Sequence, residues 1–148
     1  MDTKIRAEIL RLAVKNRQVV YGQQATNFHL PKHLNRETKD FDILTNKPEK
    51  SARELVEALN NKYGKDKYKV EPALHKGTFK VRDSKGKVVA DYTKSDKKPK
   101  SWNEVGVRYA NLAYSERKLK KLLKDESSSF RHDKDLDMLR RIQSRRDL

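Results

Sequence analysis

Two stretches decide the reading of this chain: Val19-Val20-Tyr21-Gly22-Gln23-Gln24 and, further on, Asp40-Phe41-Asp42-Ile43-Leu44. The first is a short β-prone run stopped by a glycine, after which Ala25 to Leu30 form a brief helix that Pro31 limits. The second alternates acidic and apolar residues. Successive side chains on a strand point to opposite faces, so Asp40 and Asp42 share one face while Phe41 and Ile43 take the other. The apolar face seeks a core, and the acidic face is left for chemistry.

Outward from these stretches the periodicity is clear. Ile5, Ile9, Leu12 and Ala13 recur at helical spacing between Thr3 and Arg17, with Lys4, Arg6, Arg11 and Lys15 on the other faces. Ser51 and Glu54 have capping-box spacing ahead of Ala52, Leu55, Val56, Leu59 and Tyr63, and Gly64 closes that helix. Tyr68 to Val70, Thr78 to Val81 and Lys87 to Tyr92 read as strands, the last two joined through Asp83-Ser84-Lys85-Gly86. The order αβαβαβββ predicts an α/β fold, a mixed sheet backed by helices. Thr93 to Ser101 is a polar connection, and from Trp102 onward the spacing of Tyr109, Leu112, Leu119, Leu122, Leu123, Leu136, Leu139 and Ile142 predicts helices interrupted at Ser127-Ser128-Ser129. A single domain over 1–148 is expected, with an α/β core at 1–93 and a short C-terminal helical extension at 102–148.

Composition narrows the chemistry. With 148 residues, 34% of them hydrophobic, one core is the natural expectation. No cysteine occurs, which excludes disulfides, thiolate nucleophiles and cysteine-ligated metal sites. The absence of a long apolar run or a secretory leader predicts a soluble, cytoplasmic protein with no membrane partner. The net charge is +15, carried as +8 up to Thr93 and +7 after it, so the basic excess is spread through the domain. Such a surface suits a polyanion, RNA or DNA first.

The acidic pair stands out against that charge. Carboxylates at i and i+2 on a strand lie about 7 Å apart along the backbone and can converge on shared cations. Asp91 follows Val88-Val89-Ala90; if that strand neighbours the first, three carboxylates meet on one surface. Isolated strand-edge acids would look the same, so the upstream element matters. A glycine turn opening a helix presents backbone N–H groups to an anion and lets it approach closely. Arg36 and Lys76 are further candidates for phosphate contact. Of the four histidines only His29 and His33 have helical zinc spacing, and Pro31 between them prevents a shared regular helix, while Tyr63, Tyr68, Tyr109 and Tyr114 sit in periodic segments that favour packing over base stacking.

The succession of glycine turn, Asp-x-Asp strand, helix and single-Asp strand resembles the nucleotidyltransferase superfamily typified by DNA polymerase beta, over roughly Val19 to Thr93. Tyr21-Gly22-Gln23-Gln24-Ala25-Thr26-Asn27 and Arg36-Glu37-Thr38-Lys39-Asp40-Phe41-Asp42 look like the versions in viral poly(A) polymerases and abortive-infection-type nucleotidyltransferases, and Arg131-His132-Asp133-Lys134-Asp135-Leu136 is similar to a late-helix segment of the latter. The resemblance implies a polymerase-beta-like fold, intracellular and of a kind carried by viruses and mobile elements. It implies two magnesium ions, or manganese, held by Asp40, Asp42 and Asp91, and a nucleoside triphosphate held at Gly22 and Gln23. The reaction implied is transfer of a nucleoside monophosphate to an acceptor hydroxyl with release of pyrophosphate. Gln23 departs from the usual Gly or Ser. The charge favours a nucleic-acid 3' end as acceptor, with a partner subunit supplying specificity. A protein or small-molecule acceptor, a basic module that keeps the fold without catalysis, and an unrelated architectural nucleic-acid binder are the alternatives.

Overall fold

The expected αβαβαβββ order is present through Lys94, and two further strands follow it. The computed structural model describes residues 2–146. Its elements are α1 (Thr3–Lys15), β1 (Val19–Tyr21), α2 (Gly22–His29), β2 (Phe41–Thr45), α3 (Pro48–Tyr63), β3 (Tyr68–Pro72), β4 (Thr78–Asp83), β5 (Val88–Lys94), β6 (Ser101–Glu104), β7 (Val107–Ala110), α4 (Leu112–Leu123) and α5 (His132–Arg146). Short 3-10 turns cover Lys32–Leu34 and Glu126–Arg131. None of the described helices is long and apolar enough to cross a membrane.

The seven strands form one mixed sheet in the order β3-β4-β5-β2-β1-β7-β6. Pairing is parallel for β2 with β5 and β1 with β7, and antiparallel elsewhere. One sheet face carries Val20, Phe41, Ile43, Val81 and Tyr92 against Ile9 and Leu12 of α1 and Ala52, Leu55 and Leu59 of α3, all buried. This is the core that the helical and strand periodicities anticipate, and its burial is the dominant stabilising term. The opposite face carries Val19, Tyr21, Leu44 and Ala110, covered in part by Tyr114. A third apolar cluster, Leu30, Met138 and Ile142 with Leu34, Leu112 and Leu119 packed on it, fastens α4 and α5 to the end of α2. The coverage of this second face is incomplete, and that leaves room for a site.

Two expectations are corrected. The helical reading from Trp102 fails because Glu104 pairs with Val107 across a two-residue loop, Val105-Gly106, with φ of 50° and 88°. Positive φ at both loop positions gives the turn whose twist matches a hairpin, and glycine supplies the second at no steric cost. Tyr109 and Ala110 then enter the sheet beside β1, so helix begins only at Leu112. The capping box at Ser51 is also displaced. Helix α3 starts at Pro48, whose fixed φ suits the first helical position, and Ser51 Oγ donates to the Lys47 carbonyl at 2.8 Å. Glu54 turns to α1, accepting from Lys15 Nζ and Asn16 Nδ2.

Candidate active site

The uncovered part of the second sheet face is a cavity of about 520 Å³. Gly22, Gln23, Asp40, Asp42 and Asp91 all line it, so strand pairing brings together five of the residues singled out from the sequence. Asp42 faces Tyr21 on β1 and Asp91 on β5 in register. Asp40 lies immediately before β2, where Thr38 Oγ1 donates to its Oδ1 at 3.3 Å and Gln24 Nε2 donates to its carbonyl at 3.1 Å. The three aspartates therefore come from one strand entrance, one central strand position and one parallel neighbour.

Electrostatics at this cluster are costly. Burial, then the charges of Asp40 and Asp91, push the Asp42 carboxyl up to about 7. Asp91 is likewise raised by burial, offset by Lys80, whose Nζ donates to Asp91 Oδ1 at 3.1 Å from the paired position on β4. As these side chains stand, no three Asp, Glu or His residues among the described residues form a ready metal cage.

Gly22 opens α2 with φ of 70°, and Tyr21, the residue before it, supplies no side-chain cap. The first N–H groups of the helix are therefore left for another acceptor. Gln23 does not reach toward the carboxylates; its Nε2 donates to Asn27 Oδ1 at 2.7 Å along the same helix. Asn27 in turn clamps the chain ahead of Asp40, accepting from the Arg36 N–H and donating to the Arg36 carbonyl.

Arg36 and Lys76 are not brought to this cavity. The Asn27 clamp and the pairing of Arg36 Nη1 with Asp137 at 3.3 Å and the Lys134 carbonyl at 3.2 Å turn the guanidinium toward α5. Lys76 lies exposed on the β3–β4 turn, which sends His75 into the lining in its place. The connection from Lys94 to Lys100 leaves from the end of β5 beside Thr45, whose carbonyl accepts from Ser95, and none of its lysines lines the cavity.

Sequence reasoning missed Lys118 in the cavity roof. This α4 side chain stands 4.6 Å from the centre of the Tyr21 ring and attracts Asp42 electrostatically, while Arg131 and Lys134, from the late segment that carries part of the family resemblance, line the wall. Nothing in the run Lys118, Lys120, Lys121 marks one lysine over another. Arg131 makes a forked contact with Asp135, which is 1% exposed. Lys80 was legible in principle, because alternation along Thr78-Phe79-Lys80-Val81-Arg82 puts it on one face with Thr78 and Arg82.

No family model and no curated protein sequence matches the chain. Among solved structures, it is similar to the Megavirus polyadenylate synthase, with a TM-score of 0.83 at 17% identity over 96% of this chain. The chain spans 31% of the length of that synthase. JHP933 from Helicobacter pylori aligns with 85% of this chain and 56% of its own at 14% identity, with a TM-score of 0.48. The first of these likenesses is one of fold.

Proposed function

We propose that this chain, folded like part of a viral polyadenylate synthase, is a metal-dependent nucleotidyltransferase whose carboxylates are Asp40, Asp42 and Asp91. The observation that carries the reading is the register of Asp42 against Asp91 on adjacent parallel strands, directly beside the Gly22 turn. An all-oxygen donor set matches a hard divalent cation such as magnesium or manganese, and a carboxyl that burial and its acidic neighbours push up to about 7 is one that such a cation would relieve. When bound, magnesium would draw charge from the attacking and leaving oxygens of an in-line displacement.

The chain's own residues divide the remaining work. The free N–H groups at the start of α2 and the ammonium and guanidinium groups of Lys118, Lys134 and Arg131 hold the triphosphate. An acceptor hydroxyl oxygen bonds to the α-phosphorus, the bond to the bridging α–β oxygen breaks, and pyrophosphate leaves. The hydroxyl proton passes to the Asp91 carboxylate, which requires Lys80 to yield its hold. The +15 charge favours a nucleic-acid 3' end as the acceptor.

The Lys80–Asp91 contact and the engagement of Gln23 with Asn27 favour one competing reading, a basic binding module that keeps the fold without catalysis. Incubation of the purified protein with α-labelled nucleoside triphosphates, a single-stranded oligonucleotide and magnesium or manganese separates the two. Label transferred to the oligonucleotide by the wild type and not by Asp42→Asn supports the enzyme. Nucleic-acid binding with no label on any acceptor supports the module.

A further inference from the structure

Beside the aspartate cleft lies a second cavity of about 450 Å³, and the two share Glu37 and Thr38 as a common wall. The side pocket draws on four elements: Arg6 from α1, Gln24, Asn27 and Phe28 from α2, the loop ahead of Asp40, and Tyr109 from β7. Its chemistry differs from that of the cleft, with guanidinium groups, amides and a pair of aromatic rings.

Phe28 and Tyr109 are stacked, their centroids 4.1 Å apart and their planes 7° from parallel. Tyr109 is 7% exposed, whereas 37% of Phe28 stays open to solvent. The His29 ring also meets Phe28 nearly at right angles, centroids 5.1 Å apart, so the exposed part of the phenyl ring is what remains as a platform for a planar group. Arg6 contacts the Phe41 ring and spends one N–H on Gln24 Oε1 at 3.2 Å, which leaves further donors of its fork free. Thr38 joins this pocket to the chemistry, because its hydroxyl donates to Asp40 Oδ1 from the shared wall.

We propose that the side pocket is an acceptor-strand subsite, which binds the nucleotide preceding the 3' terminus of a single-stranded nucleic acid. The base stacks on the exposed part of Phe28, and the free donors of Arg6 hold backbone phosphate. The terminal hydroxyl then passes over the Thr38 wall to Asp40. Guanidinium plus an open aromatic ring is the pairing that tracks single strands without reading sequence. This inference rests on the nucleotidyltransferase reading, and it adds the location and register of the acceptor.

The test measures binding of 5'-labelled single strands of RNA and of DNA by anisotropy, without triphosphate, for the wild type, Phe28→Leu, Arg6→Gln and the distant control Lys50→Gln. Phe28→Leu should weaken binding at least fivefold with an unchanged salt slope, because it removes stacking and no charge. Arg6→Gln should weaken binding and reduce the log–log salt slope by about 0.7, the loss of one phosphate contact. In transfer assays, both should raise the KM for the strand and leave the KM for nucleotide within twofold. A strand carrying 4-thiouridine one residue before its 3' end should crosslink to the Phe28 region. Unchanged affinity in both variants with melting temperatures intact, or an equal rise in the KM for nucleotide, overturns the proposal. So does failure of the wild type to bind either strand at about 50 mM salt. Strand binding that depends on Phe28 and Arg6 with no transfer to any acceptor would keep the subsite and sink the enzymatic reading alone.

Discussion

Gly22 and Asp42 are in such close contact that a Cβ built on the glycine would stand 2.2 Å from Asp42 Oδ2. The carboxylate occupies the space where any other residue would place its side chain. Gly22 also has φ of 70°, a conformation that costs an L-residue roughly 1–2 kcal/mol. Gly22→Ala should therefore displace Asp42 as well as strain the turn. The expected outcome is a loss of stability of about 2 kcal/mol in denaturant melts together with loss of nucleotide transfer. An alanine variant with wild-type transfer would show that Asp42 does not need its present position.

Asp42→Asn should separate function from stability. It removes a charge that burial and two neighbouring aspartates disfavour, so the melting temperature should hold or rise while transfer falls to background. Parallel losses in both measurements would mark Asp42 as a structural residue.

Lys80→Met tests the ion pair over the third carboxylate. Without magnesium, Asp91 loses its only hydrogen-bonded cation among the described contacts, and stability should fall by about 1–3 kcal/mol. Magnesium should then raise the melting temperature of the variant more than that of the wild type. An identical magnesium response in the two proteins would show that the Lys80 ammonium and a cation do not compete for Asp91.

Asp135→Ala should destabilise strongly. Asp135 is 1% exposed and holds Arg131 through a forked contact, and its removal leaves a guanidinium without its carboxylate at the junction of the 3-10 turn and α5. Chemical denaturation should show a loss of about 2–4 kcal/mol, less than a fully buried pair because Arg131 reaches solvent. A loss under about 0.5 kcal/mol would place this contact among ordinary surface pairs.

Asn27→Asp distinguishes the two halves of the clamp ahead of Asp40. The carboxylate can still accept from the Arg36 N–H and from Gln23, but it cannot donate to the Arg36 carbonyl. Transfer should drop less than in Asn27→Ala, with kcat the affected parameter. Equal activity in both variants would mean that the clamp does not position Asp40.

The sequence by itself determined whatever depends on neighbours along the chain. Alternation put Asp40 and Asp42 on one face, the tight turn demanded glycine at position 22, and helical spacing marked the buried faces of α1 and α3. Tertiary structure decided the remainder. Asp91 meets Asp42 only because β5 runs parallel to β2, a pairing between segments far apart in sequence that no local period encodes. Trp102 and Tyr109 carry the apolar marks of helix and strand alike, and the open edge of the sheet beside β1 selected strand. Pro48 took the helix start from Ser51 because its backbone is already set for that position. Lys118 among 36 basic residues acquires meaning only where packing sets it against Asp42. Local conformational preference is written residue by residue, whereas a site assembled across strands and helices exists only once non-local burial has chosen which surfaces meet.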